Sequence, residues 1–163
     1  MREQVKRVGE IVVNLQSLEF LLRRFLFGVR HEQADKRYED LAVGEVVNEN
    51  SITNYHTLGQ LIKDYNTYVS ENNPALKLPK NDLVNLRDAL AHGRIYSVTP
   101  NGNYVLLKFS KPVDGKTEAT YCEKMDKAWY QTNGQITFQA LTYVLEAGKL
   151  LDVPGFDVAS IIP

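Results

Sequence analysis

At about 100° per residue, Ile11, Leu15, Leu18, Leu22 and Phe25 fall on one stripe, which predicts a helix from about residue 2 to residue 28 with one core-facing side. Val13, Phe20 and Phe27 recur every seven residues and form a second apolar stripe roughly opposite the first. A surface helix needs only one such stripe, so the second calls for a cover. That cover is either another helix of the same bundle or a second subunit, since a symmetric dimer presents the same greasy face on both partners. Gly28 is expected to end the helix.

The stretch "RHEQADKRYEDLAVGEVVNENS" is polar, charge-mixed and weakly periodic, and reads as a loop with one short helix. Leu58, Leu61, Ile62, Tyr65 and Val69 then return to helical spacing, predicting a helix over about 54–70. "ENNPALKLPKND" breaks it with prolines and turn formers. A third helix is expected over about 81–92, capped by Asn81 or Asp82 and closed by Gly93 in the left-handed position. Beyond Gly93 the period changes to two. "RIYSVTP", the turn "NGN" and "YVLLKFS" read as a hairpin, and a further strand or two is expected in "EATYCEKMDKAWYQ" with "KMDK" as a turn. Ile136, Ala140, Val144, Ala147 and Leu151 mark a last helix over about 134–151, stopped by Pro154 and Gly155. The pattern predicts a mainly α protein: a helical bundle, one domain over 1–163, with a small antiparallel β-hairpin or meander over about 94–131 inserted before the last long helix. No internal repeat and no low-complexity tract interrupts it.

Composition narrows the function. With 163 residues, 44% hydrophobic and 24% charged, the chain is long enough to bury a core without staples. Its 19 basic and 20 acidic side chains nearly cancel, so any contact with nucleic acid must come from local clusters rather than from a global field. Cys122 is the single cysteine, which excludes an intramolecular disulfide and cysteine-based zinc spacing and fits a reducing cytoplasm. The charged N-terminus and the lack of any run of 18 apolar residues predict a soluble, cytoplasmic protein with no membrane partner. No GxxxxGK[ST], GxGxxG, GxSxG or HExxH string occurs, so ATPase, dinucleotide enzyme, serine hydrolase and zinc protease have no support.

Candidate chemistry lies in "LRDALAHGRIY", residues 86–96. With Leu83 at zero, Leu86 and Leu90 lie near about 300° and 340°, Arg87 near about 40°, Asp88 near about 140° and His92 near about 180°. Arg87 therefore flanks the apolar face and must snorkel out or find an anion. Asp88 and His92, four apart, can meet on the outer side, where the carboxylate and the helix C-terminus both favour the imidazolium. The blander reading is a surface Asp–His pair with Arg87 bonded to a nearby carboxylate and no reaction.

An arginine, a polar residue directly after it and a histidine four residues further on, at the end of a helix in an α-bundle pattern, resemble the RxxxxH signature of the HEPN superfamily. "TLGQLIKDY" is similar to sequence of that family as well, and the likeness spans roughly residues 8–27, 54–69 and 80–94. What the resemblance implies is a metal-independent endoribonuclease, of the kind found among toxins and phage-defence effectors. Arg87 would contact phosphate, His92 would transfer protons, Asp88 would orient both, and RNA would be cut to 2′,3′-cyclic phosphate and 5′-hydroxyl ends. Neither metal nor cofactor is called for. Arg87 and His92 diverge by about 140° and rise about 7.5 Å apart, so one subunit does not easily bring both to one phosphate; the family's dimeric sites do, which makes a homodimer the expected state and an antitoxin or other protein a further partner. Many members carry a tyrosine two residues after the histidine, where this chain has Arg94, with Tyr96 two further on in a strand. Arg94 and Tyr96 are candidate substrate contacts; equally, Arg94 can mark a branch that no longer cleaves. The alternative function is a non-catalytic dimeric module that binds RNA, a nucleotide or a protein.

Elsewhere, Arg23, Arg24, Arg30, His31, Lys36 and Arg37 with Tyr38 form the densest basic region. Glu19, Glu32, Asp35, Glu39 and Asp40 interleave with it, which favours a solvated face over an RNA track. His31, His56 and Cys122 stand outside any metal-ligand spacing and read as surface or packing residues.

Overall fold

The computed structural model describes residues 2–97 and 104–156. Among them are four helices, α1 (Arg2–Val29), α2 (Leu58–Asn72), α3 (Lys80–His92) and α4 (Lys127–Leu150), with three strands between α3 and α4: β1 (Arg94–Ser97), β2 (Tyr104–Phe109) and β3 (Ala119–Lys124). The strands form one antiparallel sheet in the order β1-β2-β3. The protein is thus mainly helical with a small sheet just before the last long helix, the fold class its periodicity predicts. Single 3-10 turns at Tyr38–Asp40 and Pro74–Leu76 are the only regular structure in the two long connections, among the described residues. The expected "NGN" turn lies outside the described residues.

The chain gathers into two compact units, Met1–Gln16 with Pro79–Gln139, and Ser17–Leu78 with Ala140–Pro163. In the second, all five apolar positions assigned to α2 are buried, together with Leu18, Leu22, Phe25 and Leu26 of α1 and Val144 and Ala147 of α4. Phe25 meets Tyr65 edge-on at 4.9 Å between ring centroids and Phe156 at 6.3 Å. The Tyr65 hydroxyl lies 3.1 Å from the Leu76 carbonyl and 3.2 Å from that of Tyr143, so a fully buried phenol still has its proton bonded.

Both long helices end by the same device. At the end of α1, Glu32 N–H reaches the Phe27 carbonyl (3.1 Å) and His31 N–H that of Gly28 (3.0 Å), with His31 left-handed at φ 52. At the end of α4, Val153 N–H reaches Gly148 (2.8 Å) and Asp152 N–H reaches Lys149 (3.2 Å), with Asp152 at φ 49. These are Schellman closures built on non-glycine residues. Gly28 is therefore not the stop that its identity suggests: it lies inside α1, where a Cβ would collide with the Val153 side chain.

In the first unit, Leu83, Leu86, Ala89, Leu106, Met125, Trp129 and Tyr130 are buried. Helix α4 begins at Lys127 rather than near residue 134, because Asp126 caps it: its carboxylate accepts the Trp129 N–H at 3.0 Å. The aromatic run that reads as strand thus becomes a first helical turn, and its indole donates to the Tyr121 hydroxyl on β3 (3.2 Å). Helix α3 begins at Lys80 with Pro79 at the cap position and no side-chain cap, so Asn81 and Asp82 lie within the first turn instead of capping it. Between β2 and β3, Asp114 and Gly115 (φ 50 and 72) form a tight turn closed by Val113 and Lys116, whose N–H groups reach each other's carbonyls at 2.9 and 3.0 Å.

Gly93 departs from expectation in a way that matters for the site. Its backbone is extended (φ −80, ψ −179), not left-handed. Glycine is required by proximity: a Cβ there would lie 2.8 Å from the Leu107 carbonyl oxygen and closer still to that of Ala89. Gly93→Ala should therefore cost about 1–3 kcal/mol in urea unfolding, whereas Gly134→Ala, a helical position with nothing within 4 Å, should be neutral or stabilising by up to about 1 kcal/mol. Equal effects at the two positions would show that the close approach at Gly93 is not a constraint.

Burial raises the phenols of Tyr65, Tyr121 and Tyr130, with Glu146 adding to the rise at Tyr65 and Arg7 opposing it at Tyr130. The folded chain then holds protons that the unfolded chain releases. Stability contributed by these phenols is complete below the ordinary tyrosine value of about 10 and is lost as pH climbs above it. Urea midpoints should fall above pH about 10, less steeply in Tyr65→Phe; parallel curves for the two proteins would refute the assignment.

Candidate functional site

Helix α3 delivers its last residue, His92, directly to the sheet through Gly93. In β1, Arg94 pairs with Leu107, Ile95 with Leu106 and Tyr96 with Val105. Opposed residues in an antiparallel pair share a face, and neighbours along a strand alternate. Arg94, Tyr96, Val105 and Leu107 therefore lie on one face, and Ile95 and the buried Leu106 on the other. His92 has the same parity as Arg94 and reaches the same side: it lines a cleft of about 280 Å³ with Arg94, Leu107, Phe109, Ser110, Pro112 and Thr117. The Arg94 guanidinium lies over the Phe109 ring, 5.8 Å from its centroid.

The other two motif residues point elsewhere. Arg87 Nη1 donates to Asp88 Oδ1 at 3.0 Å, and Lys108 Nζ on β2 approaches Asp88 Oδ2 at 3.4 Å. Asp88 is thus shared by two cations, and the expected Asp88–His92 pair is not formed. A carboxylate with two oxygens a turn below the helix end meets a lysine from the adjacent strand, which the sequence spacing on α3 alone could not reveal. His92 is exposed and makes no hydrogen bond or ion pair among the described residues. Neither Arg87 nor Asp88 lines the His92 cleft. Tyr96 stands in β1, 45% exposed, on the same face of the sheet as Arg94 but outside the cleft lining.

Of the five candidates, then, His92 and Arg94 come together, Arg87 and Asp88 form a neighbouring ion cluster, and Tyr96 flanks the sheet. Residue-by-residue reading missed Lys108 and Phe109. The alternation of "YVLLKFS" was the available signal, since it puts Lys108 with Leu106 and Phe109 with Leu107 once the hairpin register is known.

In the basic region Arg23, Arg24 and Arg30 are engaged in structure, whereas Arg37 stays on a solvated face with its carboxylates. Arg23 is 13% exposed in its side chain and donates to the carbonyls of Asn54 and His56 (2.8 Å each) and to Glu19. Arg24 donates to the Gly155 carbonyl, and Arg30 bridges Asp64 (2.7 Å) and Ser51. Lys36 pairs with Glu45, and Arg37 with Glu39. The contacts of Arg23 and Arg30 tie the long α1–α2 connection to the helices. No group of three or more His, Cys, Asp or Glu side chains is placed to hold a metal ion, and no helix is long and apolar enough to cross a membrane, among the described residues.

No family model, no curated protein and no solved structure matches the chain.

The Asp88 cluster is about one-third exposed at each side chain, so solvent screens it and its net worth should be small. Asp88→Asn is expected to shift urea stability by no more than about 1 kcal/mol. A loss of several kcal/mol would show that the carboxylate, and not apolar packing around Leu83, Leu86 and Leu106, fastens α3 to β2.

Proposed function

We propose that the chain is a metal-independent endoribonuclease of HEPN type, with His92 as the proton-transfer group and Arg94 as the phosphate contact. The observation that carries this reading is the unbonded, exposed imidazole of His92 sharing one cleft with a guanidinium. Chemistry of this class needs little more than that pair. A base removes the 2′-OH proton, the O2′–P bond forms, the P–O5′ bond breaks, and an acid returns a proton to the leaving 5′-oxygen, while a cation offsets charge on the crowded phosphorus. One imidazole serves one proton transfer at a time, and a second copy of the chain supplies the other.

Val13 and Phe20 of the α1 stripe, 58% and 52% exposed, support pairing of copies, whereas Phe27, its third member, meets Tyr38 edge-on at 6.4 Å. In this scheme Arg87 takes no direct part: it is bonded to Asp88 on its own helix and lies outside the His92 cleft. Growth arrest by a toxin or defence effector is the setting that such an activity fits, with an antitoxin as its natural partner.

A second reading draws on a specific observation too. Arg87, the arginine of the motif, is bonded to Asp88 and lies outside the His92 cleft, so the motif's own phosphate contact is not assembled with its histidine. This favours a non-catalytic module in which the same cleft binds RNA or a nucleotide without cutting it.

In EDTA, the purified chain should cut RNA to 2′,3′-cyclic phosphate and 5′-hydroxyl ends and leave DNA of the same sequence intact. His92→Ala should slow this at least about 100-fold. Where expression of the wild type arrests growth of a bacterial host, expression of His92→Ala should not. Identical RNA profiles for wild type and His92→Ala would remove the enzyme reading and leave the binding module.

A further inference from the structure

Among the described residues, the face of the sheet that carries Leu106 meets the helices through β2 and β3, and the opposite face is unusual in its chemistry. Open faces of antiparallel sheets normally alternate to polar residues. On the helix side Leu106 is buried, Lys108 reaches Asp88, and Tyr121 accepts from the Trp129 indole, while Ile95 at the β1 edge is 51% exposed. On the open side the register sets Arg94 beside Leu107 and Cys122, and Tyr96 beside Val105 and Lys124. The register shift between Lys108 and Phe109 comes at the rim, where Phe109 carries the Arg94 guanidinium. Tyr96 is 45% and Phe109 38% exposed, each well above what a core aromatic shows.

Charge completes the pattern. The charged side chains that the register places on this face, Arg94 and Lys124, are both basic, while Glu123 falls on the opposite face with Leu106. A chain with 19 basic and 20 acidic groups overall thus presents a small cationic aromatic surface, and His92 stands at its edge. Flat rings and a guanidinium plane take the π-faces of unpaired bases, and isolated cations beside them take the backbone phosphates. A duplex keeps its bases stacked inside and offers only phosphates to such a surface. A protein partner would use the same apolar area but has no general need for two cations without a counter-charge among them.

We propose that the open face of the β1-β2-β3 sheet is a stacking platform for single-stranded RNA, with Phe109 and Tyr96 under two separate bases of one strand and Arg94 and Lys124 on the backbone. The inference rests on the RNA-directed reading of the adjoining cleft and gives it a substrate form: an unpaired segment laid across the sheet so that one phosphodiester reaches His92. It also gives the strand insertion a role that the helices do not supply.

The test separates binding from cleavage. A fluorescein-labelled 12-nucleotide 2′-O-methyl RNA, which lacks the attacking hydroxyl, is titrated with the full-length chain, as a single strand and as a duplex, and read by anisotropy. The single strand should bind at least tenfold tighter than the duplex. Phe109→Ala and Tyr96→Ala should each weaken single-strand binding by about tenfold, Phe109→Trp should restore it, and Lys124→Ala should reduce the dependence of log affinity on log salt by about one unit. Matching urea midpoints for the variants exclude unfolding as the cause. Single-strand binding with these losses in a chain that cuts no RNA would sustain the platform and retire the enzyme. Equal affinity for duplex, or unchanged affinity in Phe109→Ala, would overturn the platform even in a chain that cleaves.

Discussion

A missing side chain at Gly93 governs how this protein presents its chemistry. Helix α3 ends with its carbonyls still unsatisfied, and the chain must turn at once into β1 while β2 passes close by. The space left by the absent Cβ is occupied by the carbonyls of Ala89 and Leu107. No other residue type gives that approach without pushing β2 away. Because the turn is a single extended residue, the parity of the strand carries back through it, and His92 emerges on the side of Arg94 rather than on the side of Leu106. The pairing of an imidazole with a guanidinium in one cleft is therefore a consequence of backbone packing, not of the spacing of charged residues along α3.

The chain's arginines divide by the same logic of what surrounds them. Arg23 sits where three loop carbonyls converge, and a planar guanidinium with several donors satisfies them together, which a lysine could not do. It is spent on structure. Arg94 projects from a two-sided strand with no carboxylate beside it, and the ring of Phe109 is the partner it has. A stacked guanidinium keeps its in-plane donors available, so the contact orients the cation without neutralising it. Basic density along the sequence marks the first kind of arginine, and a reading based on density looks in the wrong place.

That contrast explains how much was legible beforehand. Apolar periodicity located the buried stripes of α1 and α2 residue by residue, because helical spacing and burial are both local consequences of the same 3.6-residue turn. It failed at Trp129 and Tyr130, where aromatic residues that suit a strand are drawn into a helix by the Asp126 cap and by burial against Tyr121. The C-terminal ends of α1 and α4 fall within a residue of where periodicity puts them, but the closing device is not the expected glycine or proline: His31 and Asp152 adopt the left-handed turn, and Gly28 serves packing against Val153. Of the candidate residues, His92 and Arg94 line one cleft, while Arg87, Asp88 and Tyr96 lie outside it. Lys108 and Phe109 were missed, since their relevance depends on the register between strands. Pairing across a sheet is non-local, and no window along α3 contains it.

The choice made by Asp88 has a mechanistic consequence. Two partners were open to it: an imidazole one turn on, or the permanent cations of Arg87 and Lys108. Permanent cations need no proton taken up to form the pair, and one carboxylate has two oxygens to serve them, so both are accommodated and the histidine is left out. An imidazole without such a partner has no fixed tautomer and no fixed ring orientation. It can act as base or as acid, but only once something else in the complex holds one of its nitrogens. The groups within the cleft that could do so are the Ser110 and Thr117 hydroxyls and whatever anion Arg94 gathers there. Under the proposed ribonuclease reading, a phosphate drawn in by Arg94 would supply the acceptor that orients His92, so productive geometry would be assembled by binding.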